Sequence, residues 1–563
     1  MTQQDTLTQW IRETLGLEHE VGFSVEHPSD MAFGDYSTNV AMVCAKSEHR
    51  NPIELADEFA EKLRANKLQE IETITAVKPG FVNFTLTRET FRDVVGKILD
   101  IGVHYGDHVR LSGQRTIVEY TQPNPFKEFH IGHMMNNTIG ESVSRILEAH
   151  GTEIIRATYH GDISMGIAKA VWGLQSMETG SDMTVHEMGQ AYALGAKMFE
   201  ENEEVKKEIT AINKKIYERT DDAINALYDA GRQTSLDYFE TMYARLGSHF
   251  DFHFFESTAG PIGKKIVLEF LEKGVFEKSD GAVVFKGEQY GLHTRVFVNS
   301  EGLPIYEAKE IGLMQIKKDT CGPFDLSITV TDNEQDGFFK VVEKAESFVF
   351  PELAGHVLHL SHGKLKLPTG KMSSRTGSVV TAEAMIDQVK EVASIKMNAR
   401  ALSEVEKDAT AEMVALGALK FTILRQAIGR DIIFDIEQAL SFEGDSGPYL
   451  QYSTVRAQTL LRKAVGVATS STDLPDDWQT TTLERLLQRY PHVVFRAGVD
   501  YAPHTIVTYL LELASAFNSF YNTGKIVDPA NPHAPYKLAI TQAFVNIMTA
   551  GLTLLGIAVP VEM

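Results

Sequence analysis

Two short runs in this 563-residue chain carry side chains suited to the chemistry of anions. The first is His130-Ile131-Gly132-His133, set where a strand broken by Pro123 and Pro125 feeds a helical pattern. At the chain's own histidine and glycine frequencies an H-x-G-H run arises by chance about 0.05 times, so its context decides its meaning. A helix N-terminus offers free N–H groups and partial positive charge to phosphate, the imidazoles can donate to phosphate oxygens, and Gly132 lets a base approach the backbone. Read alone, the run also fits two histidines capping a helix on a packed surface. The second run is Gly370-Lys371-Met372-Ser373-Ser374-Arg375-Thr376-Gly377, a glycine-bounded loop with two cations and three hydroxyl residues. Such a loop can close over a triphosphate and stabilise charge that builds during displacement at the α-phosphorus; by itself it also reads as an exposed basic turn.

Elements around these runs must bring them together. Thr116-Ile117-Val118-Glu119-Tyr120 is an apolar, β-branched strand, residues 130–150 are helical and closed by Gly151, and residues 153–159 form a second strand. That βαβ order predicts a doubly wound, Rossmann-type parallel sheet. The whole reads as a multidomain α/β protein. Residues 1–105 form an N-terminal α+β domain, with helices over 8–17 and 52–66 and an alternating strand over 81–86. Residues 101–114, with three glycines, read as a linker. Residues 113–400 form the Rossmann-type domain, with a charged helical insertion at about 170–255 and strands returning at 326–331 and 357–360. Residues 405–563 form an all-α helical-bundle domain, with helices over 416–427, 449–465 and 507–521.

Composition sets outer limits. With 43% hydrophobic and 23% charged residues, 42 glycines and 18 prolines, this is an ordinary folded chain, and its length implies several domains. Two cysteines, Cys44 and Cys321, exclude a disulfide framework and a Cys-rich zinc site, so no structural metal is expected. The N-terminus lacks an apolar signal core, and no uncharged apolar run reaches the ~20 residues of a membrane span. A cytoplasmic protein without membrane contact is expected. A net charge of −22 argues against bulk, non-specific coating of nucleic acid, but not against local RNA binding. In residues 401–563 arginines and lysines alternate with Tyr449, Tyr452 and Tyr490, the mixture that a single-stranded RNA loop requires. That segment holds 12 Lys/Arg against 17 Asp/Glu, so a plain helical scaffold is the alternative.

Taken in order, H-x-G-H early in a Rossmann-type domain, K-M-S-S-R late in it and a helical domain behind resemble the class I aminoacyl-tRNA synthetases. More narrowly the chain resembles the arginyl-tRNA synthetase family over essentially its whole length. Phe33-Gly34-Asp35-Tyr36-Ser37-Thr38-Asn39-Val40-Ala41 is similar to that family's amino-terminal tRNA-contacting domain. Glu119-Tyr120 with Pro123-Asn124 and Lys127 is similar to its lead-in to H-x-G-H, and the K-M-S-x-R-x-G form is typical of it. Gly447-Pro448-Tyr449-Leu450-Gln451-Tyr452 with Arg456 is similar to the start of its anticodon-binding helices.

The resemblance implies attachment of L-arginine to tRNA(Arg) through an arginyl-adenylate, with ATP and Mg²⁺, in protein synthesis. It implies that Glu119, Asn124, His130, Tyr306, Glu310 and Gln335 surround arginine, and that His130, Gly132, His133, Lys371, Met372 and Ser373 serve ATP. His130, His133, Lys371 and Lys127 would be catalytic, and Phe33, Asn39, Tyr449, Tyr452 and Arg456 would touch tRNA. The chemistry agrees, since a guanidinium is a planar fork of donors that only acceptors such as Glu119 and Glu310 can hold. Adenylate formation that waits for bound tRNA is a further implication, and the chain is expected to be a monomer. Glu310, Lys309, Gln122 and Glu128 stand where the family usually has Asp, Arg, Ser and Pro, Phe338 stands near a usual His, and Ile163-Ser164 replaces Trp-Gly. Two rivals stay open: a nucleotidyltransferase acting on a small alcohol or acid without RNA, and a catalytically silent tRNA-binding paralogue. Consumption of ATP that depends on tRNA separates the first, and pyrophosphate exchange the second.

Overall fold

The computed structural model describes residues 3–178, 180, 182–366, 381–397, 403–464 and 466–563. Near the N-terminus β1 (Val25–Glu26), β2 (Tyr36–Thr38), β3 (Ile71–Val77) and β4 (Phe81–Leu86) form an antiparallel sheet in the order β1-β2-β4-β3. Helices α1 (Gln3–Leu15), α2 (Val40–Glu48) and α3 (Pro52–Ala65) share a core with it. Helix α3 starts where the Asn51 side chain accepts from the Ile53 N–H, with Pro52 in the first turn, where its missing N–H is no loss. Leu55, Phe59 and Leu63 recur at helical spacing on its buried face. Helix α4 (Arg88–Ile101) buries Phe91 in this core but Val94, Val95 and Ile98 among the C-terminal helices.

The expected linker is a docked segment. The His108 N–H donates to the Ala149 carbonyl at 2.6 Å and the Leu111 N–H to that of His150 at 2.8 Å. A Cβ on Gly106 would lie 2.5 Å from the Tyr490 ring, so glycine here permits close packing rather than slack.

The central sheet is parallel, in the order β12-β11-β5-β6-β7. Strand β5 (Arg115–Glu119) leads through α5 (Ile131–Glu148) to β6 (Glu153–His160). Four helices, α6 (Met165–Ser176), α7 (Val185–Glu201), α8 (Glu203–Glu218) and α9 (Asp222–Leu246), intervene before β7 (Phe252–Phe255). Next come α10 (Glu256–Glu272), a three-stranded antiparallel sheet of β8 (Glu277–Ser279), β9 (Ala282–Phe285) and β10 (Arg295–Val298), and α11 (Tyr306–Cys321). This small sheet was absent from the sequence reading, because its strands are three or four residues long and two of them are runs of apolar residues without alternation. Strand β11 (Leu326–Asp332), α12 (Asp336–Val349) and β12 (Val357–His362) complete the main sheet. From β5 the chain winds one way to β6 and β7, and from β11 the other way to β12. The crevice outside the carboxyl ends of β5 and β11 is therefore the switch point where such folds bind ligands.

Strand β13 (Leu365–Lys366) precedes α13 (Ala382–Met397) and α14 (Glu404–Leu424), and pairs with β14 (Ile432–Ile433). Helix α14 opens with a Ser403/Glu406 capping box. Helices α15 (Ile436–Ala439), α16 (Gly447–Lys463), α17 (Thr482–Val499), α18 (Pro503–Asn522) and α19 (Ala534–Leu554) follow. One continuous apolar core joins α5 to α14 and α16 through α19, so the helical region sits directly on the helix of the histidine motif. Among the described residues no helix is long and apolar enough to cross a membrane.

Candidate active site

Strand β5 delivers Glu119 to the switch point, and the next eleven residues turn back to start α5. Three non-glycine residues in this turn have positive φ: Thr121 (75°), Gln122 (50°) and Phe126 (64°). Such strain persists only where the surroundings over-determine it. Here Phe126 is fully buried against the insertion, with its N–H on Ser235 Oγ at 2.9 Å. The Pro123 carbonyl lies 2.9 Å from His160 Nδ1, and Tyr120 donates to Glu141 of α5 at 2.5 Å.

His130 and His133 cap α5 reciprocally. His133 N–H donates to His130 Nδ1 and His130 N–H to His133 Nδ1, each at 3.3 Å, and the rings stack 3.5 Å apart. Burial, then the Lys127 charge, lowers His130 to about 4; burial also holds His133 well below its ordinary value. Both rings are therefore neutral at pH 7. Because each Nδ1 is occupied as an acceptor, each proton resides on Nε2, which is left as the donor for a ligand. The bland and the functional readings of the motif are thus the same geometry, since capping is what fixes the tautomer. A Cβ on Gly132 would come within 3.0 Å of the His130 ring, so this glycine also makes room for the folded imidazole. Lys127 lies nearby with Nζ 4.7 Å from the Tyr192 ring of α7.

At the carboxyl end of β5 lies a cluster of acids. Glu119 is 1% exposed; its Oε1 accepts from Gln122 Nε2 at 2.7 Å and its Oε2 pairs with Lys317 Nζ of α11 at 2.8 Å. Glu310, two helical turns before Lys317, and the buried Glu346 of α12 make no side-chain hydrogen bond or ion pair among the described residues. Burial, reinforced by the charge of Glu119, holds the Glu310 carboxyl well above the usual range, and burial pushes Glu346 up to about 8. Among the described residues these three carboxyls thus share one lysine, and the cluster retains acid for a cationic ligand. Asn124 reaches toward the end of β6, where a Cβ on Gly161 would fall 2.3 Å from its Oδ1. Tyr306, at the start of α11, stands at the rim, 59% exposed, and Gln335 is exposed on the turn after β11.

The unusual residues of this chain find partners within it. Lys309 donates to Glu256 and, at 3.2 Å, to the Ile163 carbonyl, tying α11 to α10 and to the end of β6. Gln122 holds Glu119, Ser164 caps α6, and Glu128 lies 3.3 Å from His186 of α7. Phe338 packs under the Arg295 guanidinium at 5.6 Å. Lys371, Met372 and Ser373, with the rest of their loop, lie outside the described residues.

A second concentration of candidate residues lies in the helical region. Tyr449, Tyr452 and Arg456 share one face of α16. Arg456 lies 3.9 Å over the Tyr521 ring of α18, and Asn518 donates to the Tyr449 hydroxyl at 3.0 Å. On one side a cavity of ≈ 600 Å³ is lined by Tyr452, Arg456, Lys463, Tyr521 and Lys525; on the other, one of ≈ 450 Å³ by Lys396, Tyr449, Tyr452 and Arg456. Met563 borders both. Sequence reasoning missed Tyr521, Lys525 and Met563, which only packing brings to α16. It also missed Lys317, although a lysine seven residues after Glu310 marks the same helix face. Phe33 is half-exposed, whereas the Asn39 side chain accepts from the Ser24 N–H at 2.8 Å and is engaged locally.

Comparison with known proteins gives three family matches along the chain. Residues 95–436 match the family model "tRNA synthetases class I (R), catalytic domain", residues 450–563 "DALR anticodon binding domain" and residues 2–86 "Arginyl tRNA synthetase N terminal domain". The arginine–tRNA ligase of Flavobacterium psychrophilum is 30% identical over 547 residues, covering 91% of this chain and 90% of that one. That of Clostridium perfringens is 28% identical and covers both chains completely. The Thermus thermophilus arginyl-tRNA synthetase structure superimposes with a TM-score of 0.80 at 24% identity, covering all of both chains. The Plasmodium falciparum arginyl-tRNA synthetase gives 0.81 at 17%, covering all of this chain and 98% of that one. At these identities the two structures establish the fold.

Proposed function

The chain belongs to the arginyl-tRNA synthetases of class I, which attach arginine to tRNA, and within that activity we propose the following roles for its residues. ATP, with magnesium carried on its phosphates as part of the substrate, lies against the N-terminus of α5. There the Nε2–H groups of His130 and His133 donate to phosphate oxygens, Gly132 admits the nucleotide to the backbone, and Lys127 adds positive charge. Lys371, Met372 and Ser373 complete the ATP site from their loop. Arginine enters past Tyr306, with its guanidinium toward Glu310 and its backbone end toward Asn124, His130 and Gln335. Glu119, held by Lys317 and Gln122, supplies fixed negative potential behind Glu310 rather than a free fork of acceptors.

The arginine carboxylate oxygen attacks the α-phosphorus, and the bond to the bridging oxygen of pyrophosphate breaks. The terminal ribose hydroxyl of the tRNA then attacks the adenylate carbonyl and releases AMP. No covalent enzyme intermediate is required, so the protein contributes placement and fixed charge. The tyrosines and arginine of the helical cavity take bases of the tRNA anticodon loop, and Phe33 takes a contact from the N-terminal unit. The enzyme acts as a monomer in the cytoplasm.

The observations that carry this reading are the neutral, Nδ1-occupied histidine pair at the start of α5 and an acid cluster at the end of β5 that, among the described residues, has one lysine for three carboxyls. The test is aminoacylation of total tRNA with each of the twenty amino acids, alongside pyrophosphate exchange with and without tRNA. Charging confined to arginine supports the assignment of the pocket. Equal charging with lysine would remove Glu310 from its role, and exchange in rigorously RNA-free enzyme would remove the coupling of activation to tRNA.

A further inference from the structure

The C-terminal end of α19 and the nine residues after it are held by side chains from three other helices. The last carbonyls of a helix lack intrahelical partners and favour cations. Those of α19 and the turn after it are met from two sides. Arg145 Nη1 of α5 donates to the Thr553 carbonyl at 3.0 Å, Ser142 Oγ of α5 to Leu554 at 3.0 Å, and Lys420 Nζ of α14 to Gly556 at 2.6 Å. The same two cations meet the end of α9, where Lys420 donates to Leu246 at 2.6 Å and Arg145 Nη2 to Gly247 at 2.9 Å. Lys420 is 5% exposed and has no carboxylate partner among the described residues; burial, then Arg145, lowers it to about 8. It is a buried cation supported by helix-end carbonyls from two separate elements.

Further along, α16 takes over. The fully buried Gln451 donates to the Ala558 carbonyl at 2.7 Å and Arg462 to that of Val561 at 3.2 Å, and the buried Met563 borders both cavities around Arg456. The segment therefore runs from the catalytic helix to the aromatic cavity as an extended strap, fixed at each end by discrete bonds. Ser142 and Arg145 lie about two and a half to four turns along α5 from His130 and His133. A helix is stiff along its axis, so a displacement at Ser142 reaches His133, about 14 Å away, with little loss.

We propose that Leu555–Met563 couples occupancy of the Tyr452–Arg456–Tyr521 cavity by RNA to the placement of α5, with Lys420, Arg145 and Ser142 as positioning residues. This rests on the reading of that cavity as a tRNA site. Such coupling is made of bonds that are either formed or broken, so small movements at Met563 select between discrete placements of the helix.

The test is a double-mutant cycle on the full-length enzyme with a transcript of tRNA(Arg). Tyr521→Ala perturbs the RNA end, and Lys420→Met or the milder Ser142→Ala releases the strap. Both the dissociation constant for tRNA and kcat of aminoacylation at saturating tRNA are read. In the otherwise unaltered chain Tyr521→Ala should weaken tRNA binding and lower kcat about five- to thirty-fold. In either released background it should weaken binding equally but change kcat by less than about two-fold, because the connection is already lost. Multiplicative kcat effects in the Ser142→Ala background, with the binding loss intact, would overturn the coupling and leave the cavity reading in place. Unchanged tRNA affinity in Tyr521→Ala would overturn the cavity reading and the coupling with it.

Discussion

In the roles proposed for them, the cleft at the switch point and the helical cavity meet opposite recognition problems with different physics. In the cleft the groups are buried, short-tethered and locked by one another: Glu119 by Lys317 and Gln122, Lys309 by Glu256, His130 by His133. Burial there moves carboxyls up and imidazoles down, and the turn between β5 and α5 holds three residues at positive φ. The cavity around Arg456 is wide and open, and is built from tyrosines and long cations. A small charged ligand demands groups fixed in advance in a dry site, since reorganisation at the moment of reaction would raise the barrier. A polymer brings many contacts, so each can be soft, and flat aromatic faces accept any base.

The sharpest break in that comparison is His130→Asn. Asparagine is a good helix cap, so thermal stability should change by no more than about 1 kcal/mol, whereas loss of the Nε2–H donor should slow adenylate formation about 10²- to 10³-fold. Stopped-flow pyrophosphate release beside a melting curve reads both; a proportionate loss of each would return the pair to a purely structural role. Next in size, Glu310→Gln should lower kcat/KM for arginine about 10- to 150-fold, the weight of a charge-assisted contact, with the ATP KM unmoved. If the ATP KM moved equally, Glu310 would be a scaffold of the whole cleft. Arg456→Ala belongs to the soft region: tRNA affinity should fall about three- to thirty-fold and the salt slope of binding should shrink by about 0.7, with arginine saturation untouched. An unchanged slope would confine Arg456 to stacking on Tyr521.

The smallest effect is one of pH. Glu346, at about 8, and Glu310, raised above the ordinary carboxyl value of 4.5, bind protons in the folded enzyme that the unfolded chain has released. Their contribution to stability is therefore present below about pH 4.5 and is lost as pH rises toward about 8. A guanidinium favours the ionised carboxylates, so arginine binding should release protons and tighten with pH, by at most about ten-fold per unit and proton released. The thermal shift produced by arginine should be larger at pH 8.5 than at pH 6. A shift independent of pH would show that the acid cluster does not titrate on binding.

Much of this was legible in the sequence for local reasons. A β-branched strand followed by a glycine-closed helix has few alternatives to a βαβ crossover, and H-x-G-H was placed at the helix start, where the structure has it. The charged insertion showed its helical character in composition, and α16 showed its aromatic face in the spacing of Tyr449, Tyr452 and Arg456. The short strands β8 through β10 were not legible, because runs of three or four residues carry no period. The supposed linker was misleading for a related reason: Gly106 is there for contact with Tyr490, which is 384 residues away in sequence.

By itself, then, the sequence determined what depends on neighbours along the chain: the helices, the parallel crossover, the kind of charge each motif carries and the family to which its spacing points. Only the tertiary structure decided how charge is shared. That Lys317 occupies Glu119 and leaves Glu310 without a partner among the described residues, that Lys309 closes on Glu256, and that Arg145 and Lys420 gather two helix ends all depend on side chains from distant elements meeting in a dry interior. Electrostatic energy falls with distance and dielectric, neither of which is a property of the linear chain.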